Sequence, residues 1–254
     1  MLQFTGERIT VKELDIETKP DYIVYDDAGY LPASSYARGL SSLLFFAPKV
    51  YNVHEFTYTV APYCDLGKVV AFVGDEENVV RITDTLRYIE ASLQLFTWKL
   101  PQGLEKKGGD VNITLFEGNK YGSVSLAFSI LASLSKLKRN PRTERILEQL
   151  SDFSDLQPWL DSLGQGIDVS RYQVILSPIM EPASFHLRKA GLDVKTMANY
   201  NILINSLIIY NGSDMMSMRR VITMMSSKGV ETKQILLDSD PLMAPSYLTI
   251  KMGA

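Results

Sequence analysis

Short apolar runs that end in turn residues recur along the chain. Tyr22-Ile23-Val24-Tyr25 ends in Asp26-Asp27-Ala28-Gly29, and Val69-Val70-Ala71-Phe72-Val73 ends at Gly74. Runs of this length, apolar on both faces, suit parallel strands covered by helices. Residues 50–53, 95–98 and 111–116 read as further strands, with Pro101 closing the second. Between these runs the apolar spacing changes to three and four. Residues 35–46 have helical character and stop at Pro48. Residues 78–93 place Val79, Ile82, Leu86, Ile89 and Leu93 on one face, and 124–137 do the same with Leu126, Ile130, Leu134 and Leu137. Strand and helix alternating in this way predict an α/β fold with a parallel sheet.

The pattern then breaks and restarts. Lys136, Lys138 and Arg139 precede the helix-breaking Asn140-Pro141. Residues 143–150 read as a short helix, and 151–166 are rich in Asp, Ser and Gly. A second series follows. Tyr172-Gln173-Val174-Ile175-Leu176 ends in Ser177-Pro178, and Ser206-Leu207-Ile208-Ile209-Tyr210 ends in Asn211-Gly212-Ser213. Helices are expected over 182–190 and 214–228, the latter stopped by Gly229. Strands are expected over 194–197, 233–237 and, last, 247–251. The two series match in order, 22–29 with 173–178 and 69–74 with 207–212, so the chain repeats one architecture. The expected organisation is a first unit over 1–140, a linker with a short helix over 141–168, and a second, truncated unit over 169–254.

Composition narrows the functions. Apolar residues make up 46% and charged residues 22%, enough for a packed core. A net charge of −3 argues against general nucleic-acid binding, which needs a basic stripe. Arg219-Arg220 is too small a basic spot to change this. The single cysteine, Cys64, excludes an intrachain disulfide and a cysteine-cluster metal site. No apolar run approaches the ~20 residues that span a bilayer. The start, MLQFTGERIT, lacks a leader's basic and apolar segments, so a cytoplasmic protein without membrane contact is expected. Neither GxGxxG nor GxxxxGK[ST] occurs, and the two histidines form no HxxxH pair. No cofactor or metal is expected. Met215, Met216, Met218, Met224 and Met225 crowd one helix, as core or dimer packing or as a ligand groove.

Four segments, in order and spacing, resemble the sugar isomerase (SIS) domain family, in the tandem form of two flavodoxin-type, three-layer αβα units. Ala33-Ser34-Ser35-Tyr36-Ala37-Arg38-Gly39 resembles the small-residue loop after the first SIS strand. Glu55-Phe56-Thr57-Tyr58 resembles the family's Glu-Phe-Arg-Tyr segment. Residues 70–87 resemble its strand, phosphate loop and helix, and Tyr121-Gly122-Ser123-Val124-Ser125 its Gly-Val-Ala-Ser-Thr-Lys turn. The resemblance implies a phosphorylated sugar or amino sugar as ligand, an aldose–ketose isomerase or amino-sugar activity, and a homodimer. A non-catalytic sensor or structural subunit is the alternative.

The implied site departs from the family at its centre. Where the family has Ser-Gln-Ser-Gly-Glu-Thr, this chain has Val73-Gly74-Asp75-Glu76-Glu77-Asn78. Three consecutive carboxylates repel a phosphate dianion, and they equally complement a helix start with Asn78 or Asp75 as N-cap. By resemblance, Ser34, Ser35, Asn78, Ser125, Gly212 and Ser213 are the candidate phosphate- and sugar-binding residues. Helix capping is the alternative for Ser34 and Ser35 and the plainer reading of Ser213. Proton transfer between adjacent carbons needs an acid–base group. Residues 182–194 resemble the family helix that carries a glutamate, yet they hold none, and the lysine expected after Ser125 is replaced by Leu126-Ala127. Glu55, His54 and His186 are left as the catalytic candidates.

Overall fold

The computed structural model describes residues 2–4, 7–63, 67–102, 104 and 111–252, with Leu2–Phe4 and Glu7 described by backbone alone; Cys64 lies outside the described residues. The chain divides into two compact units, Met1–Ser151 and Asp152–Ala254. The stretch over 141–168 carries one helix of each unit.

Unit 1 opens with a small antiparallel hairpin, β1 (Leu2–Phe4) and β2 (Glu7–Ile9). Its main sheet holds β3 (Tyr22–Tyr25), β4 (Lys49–Asn52), β5 (Lys68–Val73), β6 (Ser92–Thr97) and β7 (Val111–Leu115). All pairings are parallel, in the order β4-β3-β5-β6-β7. The sequence direction reverses between β3 and β5, which makes the edge beyond their carboxyl ends the topological switch point. Strand alternation sorts the core. Val69, Ala71 and Val73 face Val79, Ile82 and Leu86 of α3 (Glu76–Tyr88) together with Val53, Phe56 and Val60. On the other face, Phe72 meets Tyr36 of α1 (Tyr30–Leu43) edge-on at 5.6 Å and stacks on Phe96 at 5.1 Å. There α1 packs on α4 (Gly122–Leu137), which in turn packs on α5 (Pro141–Ser151). The turn α2 (Val53–Glu55) follows β4.

Unit 2 holds β8 (Gln173–Leu176), β9 (Val194–Lys195), β10 (Ser206–Asn211) and β11 (Thr232–Leu237), all parallel, in the order β11-β10-β8-β9. Numbered from its own first strand, each sheet begins with the order 2-1-3-4. The helices are α6 (Leu156–Ser162), α7 (Ser184–Lys189), α8 (Met215–Ser226) and α9 (Ala244–Lys251). Met218, Val221 and Met225 of α8 cover Ile175 and Ile208. The methionine-rich helix is therefore split: Met218 and Met225 are core, while Met216 and Met224 are exposed.

Three sequence expectations are corrected. Residues 247–251 belong to α9, not to a last strand. Every residue of α9 from Ala244 to Ile250 is buried, so no polar face displays a helical period, and Pro245 sits in its first turn. The helix expected to reach Leu93 ends at Tyr88; Glu90 takes φ +54°, and β6 starts at Ser92. Helix α1 starts at Tyr30 with Gly29 at its N-cap, so neither Ser34 nor Ser35 caps it. No helix among the described residues is long and apolar enough to cross a membrane.

Candidate functional site

At the switch point of unit 1, Asp26 directly follows β3, and its backbone N–H donates to the Phe72 carbonyl of β5 at 3.3 Å. Its side chain then gathers the loop amides. Oδ1 accepts from Gly29 N–H at 2.8 Å, and Oδ2 accepts from Gly74 and Asp75 N–H, each at 2.9 Å. These amides stand at the starts of α1 and α3, where orphan N–H groups and the helix dipole favour an anion. A carboxylate of the chain itself holds the place. Asp26 is buried; burial raises its pKa above the ordinary carboxylate value, against the three amides and Asn78, which lower it. The close approach demands glycine at position 29, where a Cβ would lie 1.9 Å from the Phe72 carbonyl oxygen.

The acidic loop serves the helix that follows it. Asp75, not Asn78, is the N-cap of α3, accepting from Glu77 N–H at 3.0 Å and Asn78 N–H at 3.2 Å. Glu76 lies 3.7 Å from Lys99 on the surface. Trp98, just past β6, packs against two glycines: a Cβ on Gly74 would stand 3.1 Å from Cε3, and one on Gly122 would stand 2.7 Å from Nε1.

His54 and Asn78 are joined through Arg81. The guanidinium Nη1 donates to Asn78 Oδ1 at 2.7 Å and lies 2.9 Å from His54 Nδ1. A guanidinium only donates, so Nδ1 is the acceptor and His54 is the neutral tautomer with its proton on Nε2. Asn52, at the end of β4, caps this turn by accepting from His54 N–H at 3.0 Å. Glu55 is exposed and makes no ion pair among the described residues.

The serines are placed differently. Ser34 and Ser35 are buried on α1, and Ser35 Oγ donates back to Leu31 O at 3.0 Å. Ser125 Oγ accepts from Thr10 N–H at 3.1 Å. Ser129 and Ser133 Oγ accept likewise from Lys12 and Leu14 N–H, both at 2.9 Å.

In unit 2, Ser177 is the counterpart of Asp26, since its N–H donates to Ile209 O of β10 just as that of Asp26 does to Phe72 O. The Ser177 hydroxyl is buried and has no hydrogen-bond partner among the described residues. Gly212 and Ser213 are exposed at the start of the turn that leads into α8. Asn211 caps that turn, accepting from Ser213 N–H at 3.0 Å. Its Nδ2 ties the loop to Leu237 O and Ser239 O at 2.7 and 2.9 Å. Asp214 accepts from Asn211 N–H at 2.9 Å and Ile179 N–H at 3.1 Å. In both units, then, a carboxylate ties the loop after the first strand to the loop after the third. His186 lies buried on α7, its Nε2 unpartnered among the described residues; burial, then nearby Lys189, push its pKa down to about 4. Among the described residues no cluster of three His, Cys, Asp or Glu is arranged to hold a metal.

Asp26, Arg81, Trp98 and Asp214 complete these arrangements and are not among the sequence candidates. The Asp26-Asp27 pair at a strand end is the one local signal of them.

No family model and no curated protein sequence matches the chain. Solved structures do. Glucosamine-6-phosphate deaminase from Thermotoga maritima superposes with a TM-score of 0.67 at 13% identity, over 93% of this chain and 85% of that one. The C-terminal domain of glucosamine-fructose-6-phosphate aminotransferase from Francisella tularensis gives 0.63 at 10% identity, over 92% and 82%. Tagatose-6-phosphate ketose/aldose isomerase from Escherichia coli gives 0.64 at 9% identity, over 93% and 81%. At such identities the likeness is one of fold, and it supports the sugar isomerase fold that the sequence resembles.

Proposed function

We propose that the chain is a tandem sugar isomerase-fold protein of the phosphosugar class that acts by binding a sugar phosphate or amino-sugar phosphate without turning it over, as a cytoplasmic, homodimeric sensor or regulatory subunit. Three neighbours in fold are named for work on phosphorylated sugars, and the shared strand order of the two sheets supports a duplicated unit. The observation that carries the non-catalytic reading is Asp26, whose carboxylate takes the amides that an anionic substrate would need. The acid–base candidates agree with it. His54 has its Nδ1 lone pair committed to Arg81, Glu55 is exposed, and His186 is buried and held neutral. Fold alone does not assign function; the test is direct.

A thermal-shift panel of C5 and C6 sugar phosphates and amino-sugar phosphates, with unphosphorylated sugars as controls, is run beside an isomerase assay of the same protein. The expected result is stabilisation by one phosphosugar, about 2.7 kcal/mol at a hundredfold excess over Kd, with no interconversion. Turnover of an aldose or ketose phosphate would restore the isomerase reading. Silence across the panel would leave the structural-subunit alternative.

A further inference from the structure

The geometry points to an anion site on unit 1 formed by Arg81 and His54, taking the phosphate monoester of the ligand in place of the loop amides. The identity of that ligand rests on the sugar-phosphate reading above; the site itself rests on four observations. First, the amides of Gly29, Gly74 and Asp75 are already satisfied by Asp26. Second, Arg81 has no carboxylate partner among the described residues, whereas Lys68, Arg87 and Lys99 of the same unit each lie beside one. Its two hydrogen bonds both use Nη1, so the donors on Nε and Nη2 have no protein acceptor among the described residues.

Third, the guanidinium is pre-positioned. Asn78 Oδ1 and His54 Nδ1 hold Nη1 from two sides, and the Asn78 backbone is itself held by the Asp75 cap. A fixed fork with its Nε–Nη2 edge free suits a phosphate, which guanidinium binds by paired N–H donors. Fourth, exposed His54, accepting at Nδ1, keeps its Nε2–H donor without a protein acceptor among the described residues. Carboxylates at the start of α3 oppose an anion least where they are committed: Asp75 caps α3 and Glu76 lies near Lys99. Glu55 and Glu77 are exposed, where salt screens them.

The test titrates 15N-labelled full-length protein with inorganic phosphate at constant ionic strength, with sodium chloride as control. Backbone amides and the arginine Nε–Hε signals are followed. Saturable shifts are expected at Arg81 Nε–Hε and His54, while the Gly29, Gly74 and Asp75 amides stay in place. Arg81→Gln should weaken phosphate at least tenfold with the rest of the spectrum retained. Arg81→Lys, which keeps the charge and loses the fork, should fall between. Saturation at the Gly74 and Asp75 amides, no saturation anywhere, or unchanged affinity in both folded variants overturns the site. The two readings fail separately. Phosphate on Arg81 with a silent sugar-phosphate panel removes only the ligand identity; a sugar phosphate that binds with Arg81 unmoved removes only the site.

Discussion

The carboxylate of Asp26 accepts the amide of Gly74 at 2.9 Å across 48 residues of chain. With the Asp75 amide on the same oxygen and Gly29 on the other, one side chain closes the starts of two helices. Asp26→Ala strands three donors. Only the Gly29 bond is fully buried, so at roughly 1–3 kcal/mol for a buried donor left without an acceptor the loss is about 2 kcal/mol or more. Asp26→Asn keeps one acceptor oxygen and is expected to lose less. Urea denaturation of the three proteins measures this order, and an unchanged midpoint in both variants would show that the amides find other acceptors.

Glycine at 29 follows from the same closure. A Cβ there would stand 1.9 Å from the Phe72 carbonyl oxygen, and one at Gly122 would stand 2.4 Å from the Glu117 carbonyl oxygen. Both obstacles are backbone, so neither yields by a rotamer change. Gly29→Ala and Gly122→Ala are each expected to cost about 3 kcal/mol or more, by strain at a backbone contact. Gly118→Ala is the control, since its nearest neighbour, the Trp98 carbonyl oxygen, is at an ordinary 3.5 Å. Its midpoint should stay within about 0.5 kcal/mol of wild type. Equal effects at 29 and 118 would contradict the close approach.

Legibility followed the range of the interaction. Strands β3, β5, β8 and β10 announce themselves because both faces are buried and turn residues end them. Helix α9 hides because burial all round erases its period. The Asp75 cap was readable from a carboxylate two and three residues before its amides. Asp26 was not, because its Gly74 and Asp75 partners lie 48 and 49 residues away. Arg81 shows the same divide: its bond to Asn78 is a local helical spacing, while its contact with His54 crosses 27 residues. Ser125 resembled a ligand residue by motif, yet its hydroxyl meets an amide 115 residues away.

Ser125, Ser129 and Ser133 form a ladder along α4 that receives the amides of Thr10, Lys12 and Leu14. The geometry matches because four helical residues rise ~6.0 Å, while two extended residues span ~6.6 Å. Each serine to alanine change is expected to cost about 1 kcal/mol. The triple variant should release residues 10–14 while leaving the sheet intact. Amide hydrogen exchange reads this directly: Thr10, Lys12 and Leu14 should lose protection while β5 amides keep theirs. Protection unchanged in the triple variant would mean that the serines do not hold the segment.

His186 sets an acid limit on unit 2. Its pKa falls from 6.5 to about 4 on folding because the imidazole is buried and Lys189 lies near. Below pH 6.5 the unfolded chain takes up the proton first, so it binds more protons than the native state and stability falls with pH. The loss accumulates between pH 6.5 and about 4, and at 1.36 kcal/mol per unit it reaches roughly 3 kcal/mol. Above pH 6.5 the contribution is constant. His186→Leu removes the titration and leaves no unpaired ring nitrogen, so at neutral pH it should be near neutral in stability. Urea midpoints of both proteins from pH 4 to 7 give the answer: the variant should gain steadily on wild type as pH falls through that window. A difference that stays flat across it would mean that the imidazole charges freely in the folded state.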